Sequence, residues 1–303
     1  MNWLLIALLA PILWAVSNYI DKLLIGKYFK GGTGALILYS CLIGIPVFIL
    51  IAIFKPAVLS VSIASALLVT LNGFVYILYL FPYLKALNKS DTSSVVPIFQ
   101  TIPIFVYFLA FFILGERLSG MQIFGSLLIL SAAVGISLRY ENQKMSFGKE
   151  VLLLMLIASF IVSIHSLFFK LFAIELDFWT VSFWQYFGFF IFGLFLFAFV
   201  KSYRTDFLSS LKNNTSKILW LNVLNETVNI LAVVIFTYAT LLAPISLVWV
   251  INGFHPFFVF SIGIFLTLFF PNLIKENLDR KILLQKLFFT IIIFIGAYLL
   301  NLF

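Results

Sequence analysis

Ten long apolar runs dominate this sequence, at approximately 3–24, 35–54, 61–84, 92–114, 119–138, 150–172, 178–200, 218–241, 244–270 and 282–302. A helix crossing the hydrocarbon core of a bilayer needs roughly 20 apolar residues. Lipid offers no partners to backbone N–H and C=O groups, so only helices or closed barrels can span it. These runs are too long and too continuously apolar for barrel strands. The expected fold is therefore an all-α polytopic membrane protein of ten transmembrane helices, numbered here as segments 1 to 10. Charged residues make up only 10% of the chain and hydrophobic ones 63%, against about 25% charged in a soluble domain. Soluble enzymes, disordered chains and fibrous proteins are excluded.

The remaining composition adds little chemistry. Cys41 is the single cysteine, so no disulfide or zinc cluster forms within one chain. The formal charge of +8 reflects basic residues gathered in loops rather than a nucleic-acid surface. No cofactor motif is present, whether Walker loop, Gly-x-Ser-x-Gly or HExxH, so no enzyme activity is assigned. Segment 1 lacks a basic leader and a small-residue cleavage site, and is expected to be a retained helix.

The chain divides into two similar halves: 1–138, a linker at 139–149, and 150–303. Residues 71–78 and 224–231 share five of eight identities at an offset of 153, including Asn72 with Asn225. The same offset pairs Pro103 with Pro256, while Lys22 pairs with Lys170 at an offset of 148. Five helices per repeat force the second copy to insert upside down. Inverted repeats of this kind place the binding site between them, near the midplane. Loops after odd-numbered segments, with Lys286 at the start of segment 10, carry 15 Lys and Arg and those after even-numbered segments carry 2. The positive-inside rule places the odd loops in the cytoplasm and both termini outside.

Polar residues inside the segments fall at helical spacing. Segment 8 carries Asn222, Asn225, Glu226 and Asn229 on one face; its repeat partner, segment 3, carries Asn72, Tyr76, Tyr79 and Tyr83. Segment 6 aligns Ser159, Ser163, Ser166 and Lys170, and segment 1 aligns Trp14, Asn18 and Lys22. Intramembrane polar groups face a protein interior or a watery cavity, so a shared central cavity is expected. The competing explanation is hydrogen-bonded glue between packed helices. Glu226, the one carboxylate well inside a segment, serves either as counter-ion to a cationic or zwitterionic substrate, as a coupling protonation site, or in an ion pair with Lys22 or Lys170. Gln100, Asn252 and His255 lie beside Pro103 and Pro256, whose missing backbone bonds allow gating bends. His165 reads as a packing residue.

Several short motifs then take on meaning together. Tyr83-Leu-Lys-Ala-Leu87, Ser93-Ser-Val-Val-Pro97, Pro103, Gly115-Glu116-Arg117-Leu118, Gly125 and Gly135, with Trp14, Asn18 and Lys22, resemble EamA-type members of the drug/metabolite transporter superfamily. The second half matches less well, keeping Tyr238-Ala239, Ala243-Pro244 and Pro256. The resemblance implies ten helices in two inverted repeats, a central cavity from segments 1, 3, 4, 6, 8 and 9, and alternating access for small metabolites. The expected function is secondary transport of an amino acid, amine or similar molecule across the cell inner membrane. Trp14, Asn18, Asn72, Tyr76, Tyr79, Gln100, Ser166, Asn225, Glu226, Asn229, Asn252 and His255 are the candidate substrate contacts. A membrane lipid-handling protein or enzyme is the alternative. The substrate, the coupling proton or ion, and whether the carrier is a monomer or homodimer stay open.

Overall fold

The computed structural model describes residues 3–27, 33–42, 44–89, 96–137, 149–213, 216–270 and 280–301, all helical or in turns. The helices are α1 (Trp3–Lys27), α2 (Thr33–Leu42), α3 (Gly44–Phe54), α4 (Ile63–Leu78), α5 (Leu80–Lys89), α6 (Ile102–Ile113), α7 (Gly120–Ser137), α8 (Lys149–Glu175), α9 (Phe178–Phe199), α10 (Lys201–Asn213), α11 (Ser216–Leu242), α12 (Ile245–Ile251), α13 (His255–Phe269) and α14 (Arg280–Asn301). Among the described residues, seven helical runs are long and apolar enough to cross a membrane. Three shorter apolar helices cover Ile98–Ile113, Gly120–Gly135 and Leu283–Leu299. Residues 139–148 of the expected linker lie outside the described residues.

Three expected segments are not single uniform helices, and proline accounts for each. Pro82, Pro103 and Pro256 sit in the first turn of α5, α6 and α13. A proline fits there because first-turn N–H groups have no intrahelical partner, yet it cannot extend the preceding helix. Segments 4 and 9 break alike: a 3-10 turn (Val96–Thr101 or Asn252–Phe254) leads directly into the proline-started helix. One expectation needs correcting. Residues 201–217 fall between segments 7 and 8 as a connection outside the expected helices, but Lys201–Asn213 is helical. Its Tyr203 and Phe207 pack inward against Phe81, Tyr39 and Phe197, which a loop-like composition does not reveal. Burial, with the nearby Asp206 charge adding, holds the Tyr203 phenol above its usual pKa.

The principal helix pairs are α1 on α11, α4 on α9 and α7 on α14. The α4–α9 pair is closest where two glycines meet. A Cβ on Gly73 would collide with the Gln185 carbonyl, and one on Gly188 with the Thr70 carbonyl. Small residues let membrane helices approach in this way. The outer surface is apolar: Phe54, Phe112 and Phe199 are 75%, 78% and 75% exposed. A water-soluble protein rarely tolerates such a surface; a bilayer requires it.

Connections gather at two ends. At one, Lys89 and Lys85 reach Glu150 at 2.6 and 3.7 Å, and Tyr203 stacks on Phe81. At the other, Lys170 meets Glu116 and the Ala243 carbonyl, and Trp184 Nε1 donates to the Val58 carbonyl at 3.0 Å. The first end joins elements that follow odd-numbered segments, the second those that follow even-numbered ones.

Candidate functional site

Two polar clusters and one charged clasp lie inside the apolar body. The first cluster ties α1 to α11. Ser17 Oγ donates to Asn225 Oδ1 at 2.7 Å, and Trp14 Nε1 donates to Asn229 Oδ1 at 3.0 Å. As α1 advances from 14 to 17, its partners run back from 229 to 225, so the two helices are antiparallel. Asn18 Nδ2 lies 2.9 Å from His255 Nε2. An amide N–H can only donate, so this imidazole nitrogen accepts and carries no proton. Tyr19 extends the row to the Val259 carbonyl at 2.8 Å. Much of the segment 8 stripe is therefore met by side chains of segment 1.

The second cluster joins α4, α8 and α9. Tyr76 stacks on Phe189 with centroids 5.1 Å apart, and lies 4.7 Å from the His165 ring and 5.1 Å from Tyr79. His165 Nε2 sits 2.9 Å from Gln185 Oε1; a carbonyl oxygen only accepts, so this nitrogen holds the proton. Asn72 Nδ2 donates to the His165 carbonyl at 3.2 Å. Glu226 approaches from α11, accepting from Ser40 Oγ at 2.9 Å. Its charge lies within electrostatic reach of Cys41, Tyr76, Tyr79 and Tyr186. The Asn72 Oδ1 and Tyr186 hydroxyl oxygens are buried without a hydrogen-bond partner, as are Trp249 Nε1 and Asn252 Oδ1. Such a group costs about 1–3 kcal/mol if left unmet, so these positions are where a polar ligand gains most. Tyr79 bridges the clusters, packing in the same core as Trp14, Phe236 and Trp249.

The clasp is the third feature. Lys170 Nζ donates to Glu116 Oε1 at 2.5 Å and to the Ala243 carbonyl at 3.0 Å. Glu116 also accepts from the Ile245 N–H at 3.1 Å and from Ser246 Oγ at 3.2 Å. Gly115, at φ 66°, turns the chain so that Glu116 can reach inward. This corrects an expectation for Lys170: it is committed to Glu116, so no pair with Glu226 involves it. The Lys22 side chain lies outside those described.

The structure thus brings together Trp14, Asn18, Asn225, Asn229 and His255, and separately Asn72, Tyr76, Tyr79 and Glu226. Gln100 and Ser166 are buried nearby on the Val96–Thr101 turn and α8. Sequence reasoning missed Ser17, Ser40, Gln185, Tyr186 and Trp249 as polar members. Ser17 lies three residues after Trp14, a spacing that could have revealed it; Ser40, Gln185 and Trp249 sit singly in apolar runs and carried no signal.

Residues 1–138 match the family model described as the EamA-like transporter family. A protein of known crystal structure, 16% identical, aligns over 99% of this chain and 96% of its own with a TM-score of 0.68; the likeness is one of fold. No curated protein matches the chain significantly. The apolar helices are those of a multi-pass membrane protein, and the family match points to a transporter. Over residues 1–138 it is EamA-like, within the drug/metabolite transporter superfamily.

Proposed function

We propose that this protein is a secondary carrier that moves a small organic metabolite, an amine or amino acid, by alternating access. The reading takes the seven long spans and three shorter apolar helices as ten crossings, arranged as two inverted repeats over 1–138 and 150–303. The matched proline breaks before α6 and α13 support that symmetry. With the basic odd loops in the cytoplasm, both termini lie outside the cell inner membrane.

The observation that carries the proposal is Glu226 among tyrosines. A carboxylate well inside a membrane protein is costly unless it has a task. Here its charge is felt at the phenols of Tyr76, Tyr79 and Tyr186, whose rings attract ammonium groups. The orphaned oxygens of Asn72 and Tyr186 can accept the remaining ammonium protons. Trp14, Asn18, Asn225, Asn229 and His255 hold α1 against α11 and α13, and Gln100, Ser166 and Asn252 are proposed as further contacts. Pro103 and Pro256 supply the bends by which each half rocks. The clasp of Glu116 and Lys170 closes the mouth on the side of the even loops.

Uptake of radiolabelled amines and amino acids into proteoliposomes tests the proposal. A saturable uptake that Glu226→Gln lowers at least tenfold is expected. Uptake no faster than in protein-free vesicles, across both compound classes, overturns it.

A further inference from the structure

The helix α10 does none of the work described above, yet its surface is strongly patterned. At 100° per residue, Tyr203, Phe207 and Ser210 form one row. That row packs inward: Tyr203 stacks on Phe81 and crowds Gly34, and Tyr39 contacts both Phe207 and Ser210. The chain doubles back at Val200 to allow this, since Phe207 meets Phe197 edge to face. Arg204 fastens the turn by donating to the Phe197 and Ala198 carbonyls.

The outward rows are of two kinds. On one flank Leu208 and Leu211 stand 42% and 45% exposed, and the exposed Lys201 and Lys212 adjoin them on the wheel. On the other flank stand Ser202, Asp206 and Ser209. An exposed apolar row edged by lysines, with an uncharged-to-acidic row opposite, is the pattern of a helix lying in a membrane interface. At 13 residues, α10 is too short to cross a bilayer. It is placed beside Gly34 and Phe81, at the end where the odd-loop basic residues gather.

We propose that α10 is a docking surface for anionic lipid headgroups, with Leu208 and Leu211 seated among the acyl chains and Lys201 and Lys212 against the phosphates. Charge complementarity selects this occupant. Loops after odd-numbered segments carry 14 of the 16 Lys and Arg found in loops, and the leaflet that such loops face is rich in anionic lipid. A zwitterionic surface satisfies the leucines and leaves the lysines without counter-charge. The inference rests on the multi-pass fold and stands whether or not the protein is a carrier.

The test is thermal unfolding of the whole 303-residue chain in nonionic detergent, with added dioleoyl phosphatidylglycerol or dioleoyl phosphatidylcholine. The expected result is a larger rise in midpoint with phosphatidylglycerol, suppressed by 0.5 M salt. Each lysine near an anionic surface is worth about fivefold in affinity, so Lys201→Gln with Lys212→Gln weakens the response about 30-fold. The midpoint without lipid stays unchanged, because both side chains are exposed. The Lys201→Arg, Lys212→Arg variant keeps the response, and so does Lys55→Gln at the opposite end. Equal responses to the two lipids overturn the proposal, as does a phosphatidylglycerol response that survives the double glutamine variant. Reproduction of the shift by inorganic phosphate at equal concentration also overturns it, since the surface then reads free phosphate.

Discussion

Lys170 and Glu116 meet at 2.5 Å with side chains only 10% and 11% exposed. They come from helix α8 and from the turn after α6, and are 54 residues apart in sequence. Neither charge could stay so buried alone. Desolvating an ion costs several kcal/mol, and only a close partner with further hydrogen bonds offsets it. Glu116 has those bonds from Ile245 and Ser246, and Lys170 has one to Ala243.

Removing one partner should therefore hurt more than removing both. Glu116→Ala strands the ammonium and should cost about 3–5 kcal/mol. Glu116→Gln with Lys170→Met should recover most of that loss. Thermal unfolding of the three proteins in one detergent checks this; equal loss in single and double variants would show that the clasp is not a coupled pair.

The clasp also ties three elements at the even-loop mouth. If that mouth opens in transport, Glu116→Gln should raise the rate at which a membrane-impermeant thiol reagent labels Ser166→Cys, measured with Cys41→Ala to remove the native thiol. An unchanged rate argues that the clasp is purely structural.

The glycine seam between α4 and α9 should be intolerant. Gly188→Ala forces a methyl onto the Thr70 carbonyl, an overpacking expected to cost about 1–3 kcal/mol. Gly120→Ala, where nothing lies within 4 Å, should leave the unfolding midpoint in place. A similar response at both glycines contradicts the close approach.

The row between α1 and α11 should couple in pairs. Trp14→Phe and Asn229→Ala each break the 3.0 Å bond. A double-mutant cycle should return about 0.6–1.7 kcal/mol, as for hydrogen bonds between membrane helices. A cycle that sums to zero means that the bond contributes nothing to packing.

How much of this was legible beforehand follows from the range of each interaction. Helices were legible because lipid permits little else to runs such as 150–172, which became Lys149–Glu175. The proline breaks were only half legible: Pro103 and Pro256 stood out as a repeat match, while Pro82 passed unnoticed in an apolar run. The burial of Glu116 was hidden because its partner is remote in sequence, and a loop position gives no hint of it. The helix α10 was hidden because its inward row of Tyr203, Phe207 and Ser210 is short and broken by polar residues. The stripe of Asn225 and Asn229 was legible as a stripe, but whether it faced a cavity or a neighbour depended on Ser17 and Trp14, which only packing brings opposite.

The central claim is that Glu226 anchors a small cationic or zwitterionic substrate. The most direct measurement is thermal stabilisation of the purified protein by pooled amines and amino acids, beside Glu226→Gln. A ligand at 100 times its dissociation constant adds about 2.7 kcal/mol to the folded state. The account predicts a stabilising amine or amino acid whose effect disappears in Glu226→Gln. A stabilisation that survives the substitution would contradict it and move the site away from Glu226.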